Sequence, residues 1–409
     1  MDERRFTAMR RRLLESLEGC RELQDSDIYQ RIDELILETG AEHYIPLSEK
    51  VSLRQELFNS LRRLDILQEL IDDDSVTEIM VNGTDGIYIE RGGRLSLWSK
   101  CFHTKERLED IAQQIVGRCN RIVNESVPIV DARLENGARV NIVMPPVALN
   151  GPIITIRRFP DHPILMEQLI RWGTITQEAA EFLELLVRAG YNTFISGGTG
   201  SGKTTFMNAL SNYIPKDERI ITIEDNAELQ LQGVSNLVRM EARNANAEGE
   251  KEISIRDLIR SSLRMRPDRI LVGEVRGSEA IDLLQALNTG HDGSISTGHA
   301  NSPRDMLSRL ETMVLMGMEI PLQAVRRQIA SGIDVIVHVG RMRDKTRKVL
   351  QILELTGYDR ASGEIQTQTL YEFEEEGEDG CQRVTGTLRR INPLRNRQKL
   401  ERAGISLED

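Results

Sequence analysis

Hydrophobic and polar positions alternate with two different periods along this chain, and the change of period divides it. Over the first stretch apolar side chains recur every three or four positions, the spacing of amphipathic helices. Arg5–Leu17 is one such run. Asp27–Leu37 is a second, with Ser26 as its N-cap and Ile28, Ile32, Leu35 and Ile36 on one side. Ser48–Ile71 is a third, carrying Leu53, Leu57, Leu61, Leu64, Leu67 and Leu70. Three such stripes can bury one another, so residues 1–71 read as a small helical module.

From residue 72 the period shortens to two. VTEIMVNG and GIYIERGGRLSL alternate between glycine turns, a helix is expected from Lys105 to about Val123, and ARVNIVMPP and GPIITIRRF read as further strands. Residues 72–165 are therefore expected as a mixed α+β domain, with 160–175 as the connection onward. Across 166–360 the order becomes helix, short apolar strand, glycine loop, helix, strand, which implies a parallel sheet with covering helices. Within it IDVIVHVGRM and KVLQILELTGYD flank a polar turn at Arg343–Thr346 and read as an antiparallel hairpin. Residues 361–409 are expected as a C-terminal hairpin and charged tail. There, six acids between Tyr371 and Gly380 precede seven Lys/Arg in 381–402, and such segregated charge reads as a solvated or disordered surface.

Composition narrows the classes. A chain of 409 residues suits two or three domains and needs no disulfide or metal staple to fold. Aromatics at 4% and a net charge of −11 argue against a base-stacking, polyphosphate-binding protein. The cysteines, Cys20, Cys101, Cys119 and Cys381, form no Cys-x-x-Cys pair and read as reduced thiols. No run approaches the ~18 apolar residues of a membrane span. The arginine-rich start holds four acids and no apolar segment, so it does not read as a signal peptide. The expectation is a cytosolic protein whose membrane contact, if any, is peripheral. The basic helix over Arg4–Arg12 reads as a bundle face first and as a lipid-touching surface second.

The chemistry begins at Gly197-Gly198-Thr199-Gly200-Ser201-Gly202-Lys203-Thr204, a complete phosphate-loop pattern, with Thr205 following. The short strand Thr193-Phe194-Ile195 precedes it and a helix is expected from Lys203. Glycines allow the backbone to wrap a phosphate with its N–H groups inward, and the helix N-terminus favours the anion. Lys203 would reach the β- and γ-phosphates and Thr204 would ligate Mg²⁺. No Asn-Lys pair is present for a guanine reader, so ATP is the expected nucleotide.

Two apolar runs then end in acids: ITIEDNAE, with Glu224, Asp225 and Glu228, and RILVGEVR, with Glu274 and Arg276. Acids leaving the carboxyl ends of parallel strands face the ligand crevice. One carboxylate would organise the metal or its water and another would orient or deprotonate the attacking water. Each also reads simply as a strand-end cap. Farther on, TGHDGSISTGHAN places His291 and His299 at no zinc spacing, with His299 the stronger candidate for a γ-phosphate sensor.

The order GGTGSGKTT, ITIEDNAEL, SSLRMRPDRILVGEVRG, TGHDGSISTGHAN resembles the ATPases of the type II/IV secretion superfamily, the motors of secretion systems and type IV pili. Upstream, DDDSVTEIMVNGTDGIYIERGGRL, DARLENGARV and GPIITIRRF are similar to the CpaF branch, which drives Flp/Tad pilus assembly. The resemblance covers roughly residues 60–360. The four-cysteine zinc module of many type II secretion ATPases is absent.

The resemblance implies an α/β fold: a RecA-like P-loop motor domain preceded by a mixed α+β domain and a small N-terminal helical module. It implies ATP and Mg²⁺ as cofactors, Glu224 as general base, Glu274 as organiser of metal and water, and His299 as the coupling residue, with His291 second. It further implies a cytoplasmic homo-hexamer with nucleotide between its two domains, acting on an inner-membrane platform protein, with no direct nucleic-acid partner. Arg133, Arg139, Arg157 and Arg158 on the N-terminal side, and Arg264 and Arg276 on the motor side, are the arginines expected to complete the site. The rival readings are a RecA-like nucleic-acid translocase or helicase and a catalytically dead nucleotide-binding scaffold.

Overall fold

The computed structural model describes residues 3–17, 23–42, 44–119, 121–158, 163–243, 252–380 and 382–407. Cys20, Cys381, the side chain of Arg4 and the Phe159–Pro160 part of the connection lie outside the described residues, while Cys101 and Cys119 are free thiols. The chain divides into two compact units, Met1–Asp161 and His162–Asp409.

The first unit opens with helices α1 (Glu3–Leu17), α2 (Asp25–Glu42), α3 (Leu47–Arg62) and α4 (Leu67–Ile71). The expected stripes do meet: Met9, Leu13, Ile28, Ile32, Ile36, Leu53, Leu57 and Phe58 share one small core, with Tyr29 stacked on Phe58 at 4.1 Å. Two expectations are corrected here. Ser26 lies inside the first turn of α2, which starts one residue earlier. The single helix over Ser48–Ile71 is broken, because Asp65 takes a left-handed backbone (φ 53°) and its buried carboxylate accepts both fork nitrogens of Arg107. The leucine period runs through the break undisturbed, which is why it could not show it.

The rest of this unit is β1 (Val76–Asn82), β2 (Ile87–Arg91), β3 (Arg94–Leu97), α5 (Lys105–Arg118), β4 (Ile129–Arg133), β5 (Arg139–Val143) and β6 (Ile153–Arg157). The strands form an antiparallel sheet in the order β3-β2-β1-β6-β5-β4. Thr104 caps α5, which ends before the expected Val123, and Leu108, Ile111, Ala112, Ile115 and Val116 bury its apolar stripe against the sheet.

The second unit comprises α6 (Met166–Arg171), α7 (Gln177–Arg188), β7 (Thr193–Gly197), α8 (Lys203–Ser211), β8 (Ile220–Glu224), β9 (Leu237–Glu241), α9 (Ile255–Ser262), β10 (Arg269–Val272), α10 (Ala280–Leu287), β11 (Ile295–His299), α11 (Pro303–Gly317), α12 (Leu322–Gly332), β12 (Val335–Arg341), β13 (Arg347–Tyr358), β14 (Ile365–Glu378), β15 (Val384–Arg390) and α13 (Gln398–Arg402). Among the described residues these strands make one sheet in the order β15-β14-β13-β12-β7-β11-β10-β8-β9. The half from β12 to β9 is parallel and its short central strands β7, β8 and β10 are buried throughout, as expected where helices cover both faces.

The charged segment is where the sequence misled. The acidic run lies on β14, and the basic run includes β15, so Glu372 faces Arg389 and Tyr371 faces Arg390 across an antiparallel ladder that extends the sheet of the second unit. Arg389 pairs with Glu374 at 3.0 Å. Segregated charge along the chain became complementary charge across a hairpin.

The buried Asp65–Arg107 pair ties the helical bundle to α5. Asp65→Ala should destabilise this unit by about 3 kcal/mol, because it strands a guanidinium. Urea unfolding followed by Trp98 fluorescence in a Trp172→Phe background reads this directly, and an unshifted midpoint would refute it.

Candidate nucleotide site

Parallel register brings the chemistry to one edge. β7, β11, β10 and β8 are consecutive neighbours, and all run the same way, so Gly197, His299, Gly273 and Glu224 end side by side. The phosphate loop leaves β7 at this edge and enters α8 at Lys203. Gly197 is required there, since a Cβ would fall 2.3 Å from the Val339 carbonyl oxygen and 2.5 Å from Ser201 Oγ. Gly202 caps α8 with φ 92°, a conformation that side chains resist. Thr204 and Thr205 lie in the first turn of α8, half-buried.

From the loop a chain of contacts runs across three strands. Lys203 Nζ donates to the Gly198 carbonyl at 3.0 Å and to His299 Nδ1 at 3.2 Å. An ammonium has only donors, so His299 Nδ1 accepts, and its Nε2 lies 2.7 Å from Glu274 Oε1, a buried oxygen with no hydrogen-bond partner. Burial and the Lys203 charge lower the proton affinity of His299, which keeps the ring neutral. Glu274 Oε2 accepts from Arg276 at 2.7 Å, and Arg276 also approaches Asp225 at 3.7 Å. Arg276, His299, Gly198, Thr199 and Asn301 all line one open cleft of about 710 Å³.

Glu224 is placed differently from the expectation of a general base on the cleft. It is 2% exposed, and its Oε2 accepts the backbone N–H groups of Glu228 and Leu229 at 2.8 and 2.9 Å, closing the loop after β8. Its Oε1 is buried without a hydrogen-bond partner. Burial pushes this carboxyl up to about 7, the two backbone bonds resisting only in part.

Two residues missed in the sequence brace the phosphate loop. Arg347 Nε donates to the Gly200 carbonyl at 3.3 Å. His338, buried on β12, lies 2.9 Å from Ser196 Oγ and bonds the backbone of Asn301, bridging the loop strand to the turn after His299. Neither belongs to a motif, and only the β12–β7 pairing, which sets His338 beside Ser196, reveals its place.

The Type II/IV secretion system protein family matches residues 61–395, well over half the chain. The chain belongs to that family. Similar relatives include a Mycobacterium tuberculosis protein, Rv3659c, named for conjugal transfer (35% identical over 312 residues, 75% of this chain and 87% of that one). Others are the conjugal transfer protein TrbB of Rhizobium radiobacter (32%, covering 76% and 93%) and the type IV secretion system protein PtlH of Bordetella pertussis (34%, covering 68% and 89%). In fold, the chain is similar to the ATPase DotB of Yersinia pseudotuberculosis (TM-score 0.52, 18% identical, 73% and 79% covered). The Legionella pneumophila ATPase DotB is comparable (TM-score 0.50, 20% identical, 73% and 81% covered). The second unit of this secretion-family protein is thus RecA-like in fold.

The remaining arginines and His291 divide. His291 precedes β11, at the end away from His299, and contacts the Ala286 carbonyl of α10 at 3.2 Å. Arg264 is exposed ahead of β10, at the end opposite Glu274, and does not line the cleft of its own chain. In the first unit Arg133, Arg139 and Arg157 stand directly opposite one another on β4, β5 and β6, a row of three cations on the face away from the core. Arg158 instead turns inward to Asp74 and the carbonyls of Asp73 and Val76.

The raised Glu224 carboxyl has a stability consequence. Below its ordinary value of 4.5 the folded and unfolded chains both hold the proton. Between there and about 7 only the folded chain keeps it, so stability falls as pH rises through this window, by about 2–3 kcal/mol in all. Glu224→Gln keeps an oxygen for the two backbone bonds and has no charge to bury. It should therefore raise the thermal midpoint of the motor unit at pH 8 and leave it nearly unchanged at pH 4.5. An equal effect at both pH values would contradict the burial argument.

Proposed function

We propose that the chain is an ATP-hydrolysing hexameric motor serving a pilus or protein-secretion machine, of the CpaF kind that assembles Flp/Tad pili. It would work at the cytoplasmic membrane face on an inner-membrane platform protein. The observation that carries the hydrolysis reading is the Lys203–His299–Glu274 chain at the mouth of a complete phosphate loop. Lys203 holds the β- and γ-phosphates. Lys203 donates to the neutral acceptors Gly198 O and His299 Nδ1, which a phosphate oxygen outcompetes with full charge. Thr204 and Glu274 offer the hard oxygen donors that Mg²⁺ takes and would hold it, with phosphate oxygens and water completing its shell. That ion supplies charge neutralisation on the phosphates.

Glu274, held by the cleft-lining Arg276 and lying beside His299, orients and deprotonates the attacking water. Glu224, enclosed behind it, holds the β8 loop. His299 stays neutral and changes partners when Lys203 moves, which conveys the presence of the terminal phosphate to β11 and α11. The arginine row Arg133–Arg139–Arg157, with Glu78 3.7 Å from Arg157, places three cations side by side on one face, a surface that suits a neighbouring subunit's triphosphate.

Steady-state ATPase rate against protein concentration tests this, with Lys203→Ala, Glu274→Gln and Arg139→Ala alongside. The rate per subunit should climb with concentration. Lys203→Ala should fall to background, and Glu274→Gln should lose about a hundredfold or more while still binding ATP. Mixing the two inactive variants Lys203→Ala and Arg139→Ala should restore activity, because each supplies what the other lacks. A rate independent of concentration, with no rescue on mixing, would refute the shared site. Stimulation by added DNA would instead favour the nucleic-acid motor.

A further inference from the structure

The phosphate cleft contains a cation that neither the motifs nor the contact chain accounts for. Helix α11 begins at the Ser302 N-cap with Pro303 in its first turn, and buries Met306, Leu307, Leu310 and Met313 in the motor core. That anchoring turns Asp305, Ser308 and Arg309, which share a face at three- and four-residue spacing, into the cleft opposite Gly198 and Thr199. Asp305 is one turn from Arg309, yet the two form no ion pair. Arg309 is exposed and makes no hydrogen bond or ion pair among the described residues.

The other cations of the cleft are already engaged. Arg276 is held by Glu274 and approaches Asp225, and Lys203 is held by Gly198 and His299. Arg309 lines the same cleft as His299 and the loop residues Gly198 and Thr199, and its charge, like those of Lys203 and Arg276, lowers the proton affinity of His299. A guanidinium without a counter-ion in the cleft of a phosphate loop has the fork of donors that a terminal phosphate accepts.

We propose that Arg309 contacts the terminal phosphate of the bound nucleoside triphosphate from within the same chain, and so distinguishes triphosphate from diphosphate. This rests on the nucleotide reading above and adds a substrate-contacting residue to it. The contact is made only when a third phosphate is present, whereas the loop backbone and Lys203 also serve the diphosphate.

Fluorescence titration of the full chain with mant-AMPPNP, which is not turned over, and with mant-ADP tests the assignment. Arg309→Ala should weaken mant-AMPPNP about 10- to 100-fold and leave mant-ADP within about twofold. Arg309→Lys should fall between Arg309→Ala and the wild type, and Arg304→Ala, on the same helix but away from the cleft lining, should change neither. Arg309→Gln keeps the aliphatic stem to Cδ and the helix propensity but not the guanidinium, so it must show the same selective loss if Arg309→Ala proves unstable. Equal weakening of both nucleotides, or of neither, overturns the assignment. Failure of the wild-type protein to bind either nucleotide overturns instead the nucleotide reading on which it stands.

Discussion

The contact between the Lys203 ammonium and the neutral Nδ1 of His299 is the constraint around which the site is arranged. It exists because β11 pairs with β7 in parallel, which brings the last residue of one strand beside the last residue of the other. It fixes the histidine tautomer and sets Nε2 beside Glu274 Oε1 at 2.7 Å. A cation, a neutral ring and a carboxylate on three different segments thereby become one unit, and movement of the lysine toward a phosphate must alter all of it.

The surroundings hold this unit without joining it. Gly197 allows β12 to approach the loop, Arg347 holds the outer side of Gly200, and His338 ties Ser196 to the turn beyond His299. Glu224 shows the electrostatic side of the same packing: a carboxyl one strand from Glu274 is sealed in, spends one oxygen on loop N–H groups and retains its proton up to about pH 7. Two acids that read alike in the sequence thus have different partners, Glu224 the N–H groups of its own loop and Glu274 the guanidinium of Arg276, which lines the cleft.

Much of this was legible beforehand because it depends on local pattern. The phosphate loop, the strand before it, the parallel order and the β12–β13 hairpin follow from periodicity and glycine placement. The split of α3 from α4 was not, since it turns on Asp65 meeting Arg107 across 42 positions. A C-terminal hairpin was expected, but that the acidic and basic runs themselves form its strands β14 and β15 was hidden, because their charges make sense only once Glu374 and Arg389 face each other. Within the site, Lys203, Glu274 and His299 were identified from their motifs, whereas the enclosure of Glu224 and the bracing by His338 and Arg347 depend on which strands become neighbours.

The most direct measurement is the structure of the Glu274→Gln protein determined with ATP and Mg²⁺ at its cleft. The account predicts that Lys203 Nζ leaves His299 Nδ1 for phosphate oxygens and that residue 274 borders the terminal phosphate, with Glu224 still bonded to the N–H groups of Glu228 and Leu229. A nucleotide bound with Lys203 still on His299, or with Glu224 swung out to the terminal phosphate in place of residue 274, would contradict it.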